Sequence, residues 1–284
     1  IMTAASLWGT AGPATQALYG VASTTPFSIS ALRLTIAAPL MLLLCWRMLG
    51  RRMFAVARRD LLVMMLMGVL LGLSQASYFA AISNAGVAIA TLTTVCSTPI
   101  IVTIVSTLVT RERPGKWIIA ALVCALVGTT LLVNVQPNPE LADTTLAGMG
   151  FSLLASTIYA GFILSGRLMI GQYHPLQTSA IGLLTGSILM CTIATGAGFA
   201  LSYPAQGWLL LVYLGAVPTA LAYGLFFSGT RTTPATVVSI LTLMEPLMAT
   251  ALAWLLFGEQ LGLSGVLGAA LLLSAMVMLA RNPQ

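Results

Sequence analysis

The chain has 284 residues, 58% of them hydrophobic and only 6% charged, with a net charge of +6 and a mean hydropathy of +1.00. A soluble globular domain carries roughly 25% charged residues, and so small a charged fraction cannot cover a surface that faces water. The composition excludes a soluble enzyme and a soluble nucleic-acid binder, and points to an all-α protein that crosses a lipid bilayer several times.

Polar, charged and Gly/Pro breaks divide the chain into ten apolar segments, at approximately 3–22, 28–49, 60–82, 86–109, 116–135, 146–168, 175–200, 207–228, 233–256 and 262–281. Each is close to the 20 or so residues that a helix needs to span the hydrocarbon. The connections are short, with no room for a soluble domain. The first segment follows Ile1-Met2 almost at once. The first basic residue is Arg33, so no cleavable signal peptide is expected.

Charge placement tests the count. Arg47, Arg51, Arg52, Arg58 and Arg59 lie between spans two and three, and Arg111, Arg113 and Lys116 between spans four and five. Arg167 follows span six, Arg231 follows span eight and Arg281 closes span ten. With ten alternating crossings, eleven of the 12 Lys and Arg fall on one side, and only Arg33 falls near the other. The positive-inside rule makes the loaded side cytoplasmic and puts both termini there. Glu140, Asp143 and Glu259 fall on the opposite face, and Trp46, Trp117, Tyr203 and Trp208 sit near span ends, as interfacial anchors do.

The chain also matches itself at an offset of 147 residues: Ala88 meets Ala235, Pro99 meets Pro246, Thr103 meets Thr250, Glu112 meets Glu259 and Gly115 meets Gly262. Tyr78 corresponds to Tyr223 with a small gap, and Trp8-Gly9 resembles Tyr159-Ala160. Residues 1–137 and 138–284 then form two repeats of five spans. An odd number of crossings turns the second copy upside down, the inverted-topology plan of many secondary transporters. Chance likeness between apolar sequences is the competing reading, and the shared Pro-to-Glu-to-Gly frame together with the charge asymmetry outweighs it.

The segments 78-YFAAISNAGVAIATLTTVCSTPIIVTIVSTLVTRERPG-115 and 223-YGLFFSGTRTTPATVVSILTLMEPLMATALAWLLFGEQLG-262 carry a family resemblance. The chain resembles the ten-helix, EamA-type members of the drug/metabolite transporter superfamily, among them amino-acid and metabolite exporters, over essentially its whole length. The most specific part is Glu245-Pro246 followed by Gly258-Glu259. The first half departs from it, with Thr98 before Pro99 and Arg111 before Glu112. The resemblance implies a secondary transporter of the inner (cytoplasmic) membrane that exports small metabolites, first of all amino acids, aromatic and other apolar ones included. A multidrug exporter of lipophilic cations is the alternative.

Such carriers bind their substrate near the midplane where the repeats meet. Glu245 lies roughly 16 Å along its helix from Pro234, about half the hydrocarbon thickness. A charge there is costly unless it is hydrated, protonated or paired. No basic residue is expected at the same depth, so Glu245 reads either as a cavity residue for a cationic group or a proton, or as a neutral acid bonded between helices. Pro99 and Pro246 are candidate hinges, each freeing the carbonyl one turn back, at Val95 and Thr242. Thr91, Thr94 and Thr98 share one face of span four, and Ser239, Thr242 and Glu245 one face of span nine; these stripes suit either a wet cavity or hydrogen bonding between helices. Trp8, Tyr78, Tyr159 and Tyr223 sit inside their spans at repeat-related positions and suit substrate rings or cations as well as simple packing. Asn84 and Arg231 are candidate gate or loop residues.

Gly115, Ala121, Ala125 and Gly128 in span five, with Gly262, Gly265, Gly268 and Ala269 in span ten, permit close helix approach, either between the two halves or between two protomers. A monomer is the expected state, with a homodimer as the alternative. The four cysteines all lie in apolar runs and show no metal or disulfide spacing. No cofactor or metal is expected. The lone His174 beside Pro175, the absence of HExxH and of paired intramembrane aspartates, and the lack of a glycine frame before Gly115-Lys116 argue against a protease and against ATP drive. No carbonyl filter or Arg-rich sensor suggests a channel. The partners expected are a small-molecule substrate, the bilayer, and an energy source open among a proton, another ion and none.

Overall fold

The computed structural model describes residues 1–110, 114–132, 144–169, 171–257 and 262–281. Glu112, Glu259, Arg111, Arg113, Glu140 and Asp143 lie outside the described residues. Within them the chain is helical, without strands.

The first span is two helices, α1 (Met2–Gly9) and α2 (Ala11–Val21), joined at Thr10, whose Oγ1 donates to Leu7 O at 2.7 Å. α3 (Pro26–Leu49) opens on Pro26, with Thr25 Oγ1 accepting from Ser28 N at 3.2 Å. Proline is pre-organised for that first position and Thr is a good cap. After a 3-10 turn at Gly50–Phe54, α4 (Arg58–Thr110) carries spans three and four in one element. Gly86, with φ 78° and ψ 163°, breaks it. That region is open essentially to glycine alone. The chain folds back there, because Tyr78 and Thr91, 13 residues apart, meet through their hydroxyls at 2.6 Å.

α5 (Lys116–Leu132), α6 (Thr145–Leu168) and α7 (Pro175–Gly196) follow. His174 caps α7: its Nδ1 accepts from Leu176 N at 3.3 Å, while Gln177 Oε1 accepts from His174 N at 3.1 Å. α7 stops at Gly196, short of residue 200, and an irregular segment leads to α8 (Ala205–Gly215). A π-helical turn, Ala216–Leu221, joins α8 to α9 (Ala222–Thr230). Its cause is Pro218, which leaves Leu214 O without its helical donor; the Thr219 hydroxyl takes that carbonyl at 2.7 Å. Span nine divides into α10 (Ala235–Leu241) and α11 (Met244–Phe257), and α12 (Leu263–Arg281) closes the fold.

Eight helical stretches among the described residues are long and apolar enough to cross a membrane, and Lys116–Leu132 is a shorter apolar helix. Leu146, Leu209 and Leu263 are 82%, 71% and 79% exposed. So much exposed apolar surface has lipid as its natural solvent, and the chain is a multi-pass membrane protein.

Packing is pairwise and crosses the halves. α4 lies on α6 and α7, α3 on α7, α8 and the π-turn, α1 on α11 and α9, and α5 on α12. Close approach depends on glycine. A Cβ on Gly215 would lie 2.7 Å from Ile36 Cβ and 3.0 Å from Arg33 O, and one on Gly68 would collide with Gly182 and Thr185. At opposite ends of the α3–α7 pair, hydrogen bonds join the connecting segments. Tyr173 Oη donates to Asp60 Oδ2 at 2.7 Å and accepts from Ala57 N at 3.1 Å. At the other end Tyr203 Oη meets Thr24 Oγ1 at 2.5 Å, and Ser28 Oγ accepts from Ala200 N at 2.9 Å.

Candidate substrate-binding site

The broken ninth span explains how a glutamate and a proline coexist inside an apolar run. Leu243 N donates to Ile240 O and Glu245 N to Thr242 O, both at 3.0 Å, a tight turn that ends α10 and starts α11. Pro246 therefore sits in the first turn of α11, where a missing N–H costs nothing. Glu245 sits in the same turn, where the positive end of the helix dipole favours a carboxylate. The Thr242 carbonyl is not left free for a ligand, because Glu245 N–H takes it. Pro99, by contrast, is buried inside α4 with helix on both sides.

The aromatic residues pack on one another, with Trp8 and Tyr223 buried in the main core at 8% and 5% exposure. Trp8 is 5.2 Å from both Tyr223 and Phe226, Tyr159 stacks on Phe162 at 5.5 Å, and Phe162 meets Tyr223 edge-on at 6.1 Å. Tyr78 reaches the group from α4, and Glu245 lies within electrostatic reach of Tyr78, Tyr159 and Tyr223. Glu245 itself is exposed rather than packed among side chains. Gly9, next to Trp8, fixes α1 against α11: a Cβ there would lie 2.6 Å from Met248 Cβ and 2.7 Å from Glu245 O.

Arg33 corrects the sequence reading. It lies within electrostatic reach of both Glu245 and Tyr223, so a basic residue does stand at comparable depth. With ten alternating crossings the two would enter from opposite faces. Arg33 is roughly 10 Å along α3 from Pro26, and Glu245 roughly 16 Å from Pro234, in a hydrocarbon layer of about 30 Å. Their depths then differ by only a few ångströms. Its being the one basic residue off the loaded face was the signal available. Arg33 Nε is buried without a hydrogen-bond partner, and so is Trp8 Nε1.

The Ser/Thr hydroxyls are taken up by protein groups. Ser156 Oγ donates to Thr94 O at 3.0 Å, Thr94 Oγ1 to Ser152 O at 3.5 Å and Thr98 Oγ1 to Thr94 O at 2.9 Å, which places this stripe in the α4–α6 contact. Thr91 is taken up by Tyr78. Ser239, fully buried, donates to Thr236 O, and Thr242 to Ser239 O, each at 2.8 Å. Asn84 Nδ2 donates to Ala80 O at 2.8 Å within α4, and Arg231 is exposed just after α9. Among the described residues no group of His, Cys, Asp and Glu is placed to hold a metal. A groove of about 470 Å³ between α3 and the π-turn, lined by Leu40, Leu44, Arg47 and Leu221, opens on the outer surface away from Glu245.

The EamA-like transporter family's model matches the chain twice, over residues 1–134 and 146–281. The chain belongs to the EamA-like transporter family. Among relatives of this EamA-like protein is the "Uncharacterized transporter YwfM" of Bacillus subtilis (strain 168), 31% identical over 100% of this chain and 93% of that one. The "Uncharacterized inner membrane transporter YicL" of Salmonella typhimurium (strain LT2) is 25% identical over 99% of this chain and 93% of its own length. A crystal structure with a TM-score of 0.83 covers 98% of this chain at 20% identity and shows the same fold. The protein is thus a membrane transporter of small molecules, and its named relatives are transporters rather than enzymes.

Proposed function

We propose that this EamA-like protein is a secondary transporter that exports small metabolites, amino acids first, aromatic and other apolar ones included, by alternating access through a midplane cavity. The observation that carries this reading is the exposed Glu245, whose backbone packs beside Gly9 of α1 and which lies within electrostatic reach of Tyr78, Tyr159 and Tyr223. A carboxylate beside aromatic side chains suits a small molecule with a charged head and an apolar tail. The direction of transport rests on the family resemblance alone.

The proposed architecture is ten crossings in two inverted repeats, residues 1–137 and 138–284, with both termini cytoplasmic. The two-fold match of the family model supports it, and so does the contact pattern. Exchanging each span for its repeat mate turns the α4–α6 pair into the α11–α1 pair and the α4–α7 pair into the α8–α3 pair. The α3–α7 and α5–α12 pairs map onto themselves. Gly68 and Gly215, 147 residues apart, serve the two equivalent close approaches. The turn before Pro246 supports a hinge in span nine; the continuous helix at Pro99 leaves any hinge in the first half to Gly86. The inner membrane is the proposed location, in keeping with the name of the Salmonella relative.

Uptake into liposomes holding the purified protein tests the reading, with a panel of labelled amino acids and a quaternary ammonium dye, with and without a pH gradient. Saturable amino-acid flux with counterflow is expected, and any dependence on the gradient identifies the proton as coupling ion. Failure of every amino acid while the dye moves would make the protein a cation exporter instead.

A further inference from the structure

The site holds a second charge that the function as proposed does not use. Arg33 is a cation inside the protein whose Nε is buried and unpartnered. Guanidinium groups in such surroundings are ordinarily hydrogen-bonded to a carboxylate or a carbonyl, because an unmet charged donor is costly. Glu245 is a carboxylate within electrostatic reach, yet among the described residues no ion pair within 4.0 Å joins the two. Tyr223 lies within reach of both charges, and its ring carries Trp8 at 5.2 Å. Trp8 in turn precedes Gly9, which rests on the Glu245 carbonyl. Arg33, Tyr223, Trp8 and Glu245 therefore form one group, with a cation and an anion that interact without pairing directly.

We infer that Arg33 and Glu245 are the two ends of a zwitterion site: Arg33 receives the carboxylate of a free α-amino acid, Glu245 receives its ammonium group, and Trp8 with Tyr223 faces the side chain. The inference rests on the proposed amino-acid transport and names the recognition chemistry of that same site. Charge balance argues for it. One positive and one negative group accept a neutral zwitterion without leaving either protein charge unmatched. A lipophilic cation would neutralise Glu245 and leave Arg33 uncompensated in a low-dielectric site, and a simple carboxylic acid would do the reverse. Arg also suits this place through geometry, since its planar fork meets a carboxylate with two parallel hydrogen bonds.

The test is equilibrium binding to the purified full-length chain. The probes are L-phenylalanine and L-leucine, their methyl esters, which lack the carboxylate, and 3-phenylpropanoate and 4-methylpentanoate, which lack the ammonium. Losing a hydrogen-bonded charged group costs about 10- to 100-fold in affinity, so the wild type should prefer each amino acid to both analogues by that factor. Arg33→Gln should abolish the preference over the ester and keep the preference over the des-amino acid. Glu245→Gln should do the opposite, and Arg33→Lys should retain part of the first preference. A wild type that binds the ester as tightly as the amino acid overturns the inference, and that measurement stands even if the Arg33 variants fail to fold. Amino-acid binding whose preferences survive Arg33→Gln also overturns it and leaves the transport reading intact, with Arg33 a structural counter-ion. Absence of any amino-acid binding to the wild type removes both.

Discussion

Gly128 and Gly268 face each other so closely that neither position has room for a side chain. A Cβ on Gly128 would lie 2.8 Å from the Gly268 carbonyl oxygen, and one on Gly268 would lie 2.5 Å from the Gly128 carbonyl oxygen. Both obstacles are backbone, so neither can swing aside. α5 and α12 meet here, with Ala121, Ala125, Leu272 and Ala275 buried around them. The small residues of spans five and ten thus join the two halves of one chain. Gly268→Val is expected to destabilise the protein by about 1–3 kcal/mol through overpacking, read as a lower melting temperature in detergent. Gly150, where an added Cβ would meet nothing within 4 Å, is the control; Gly150→Ala should leave the melt unchanged or raise it, since Ala is the better helix former.

Gly9→Ala should damage transport more than folding. The added methyl meets Met248 Cβ and the Glu245 carbonyl, so α1 must withdraw from α11 and carry Trp8 away from Tyr223 and Phe226. Misplacing a binding group by an ångström typically costs tenfold or more in rate, so flux into liposomes should fall by roughly that factor. A variant with normal flux would show that the α1–α11 spacing is irrelevant to the site.

Gly86→Ala tests the reversal inside α4. At φ 78° and ψ 163° an alanine is strained, at a cost of about 1–3 kcal/mol. The same change at Gly12, where the space is open, should be harmless. The Gly86 variant should also loosen the Tyr78–Thr91 bond, because that bond exists only while the two arms lie side by side.

Tyr173→Phe should lower the melting temperature, and adding Asp60→Asn should lower it no further, because both changes remove the same hydrogen bond. The Ala57 N–H pulls the Tyr173 phenol down and the Asp60 carboxylate pushes it up, with the net direction above the ordinary value. A raised folded-state value favours the neutral phenol. Its contribution is therefore complete below the ordinary tyrosine pKa of about 10 and is lost as pH rises through the folded value. Melts of wild type and Tyr173→Phe should converge in strong alkali.

Topology is open to thiol labelling. In a background without Cys45, Cys96, Cys124 and Cys191, single cysteines at positions 55 and 140 should react from opposite sides of the membrane. Labelling from the same side would remove the inverted repeat and, with it, the midplane cavity.

Much of the architecture was legible in the sequence. The small charged fraction, the apolar segments and the loading of Lys and Arg onto alternate connections follow from what lipid tolerates at each depth, and each is local in sequence. Trp8, Tyr78, Tyr159 and Tyr223 were expected well inside their spans, and the structure packs Trp8 and Tyr223 into the core. The breaks were less legible. Pro246 pointed to one in span nine, but it was the turn at Thr242–Leu243 that moved the proline into a first helical turn and used the freed carbonyl. The Thr stripe of span four was ambiguous for a physical reason: a hydroxyl facing water and a hydroxyl facing another helix have the same spacing. Only the position of α6, with Ser152 and Ser156 against Thr94, decided it. Arg33 was the largest gap. Sequence measures depth along one helix at a time, whereas Arg33 and Glu245 lie on different helices, α3 and α11, far apart in the chain. Composition and periodicity therefore determined a multi-pass bundle and the residues it would turn inward; tertiary packing alone decided which of them meet, because charges from distant parts of the chain come into reach only when the helices that carry them cross.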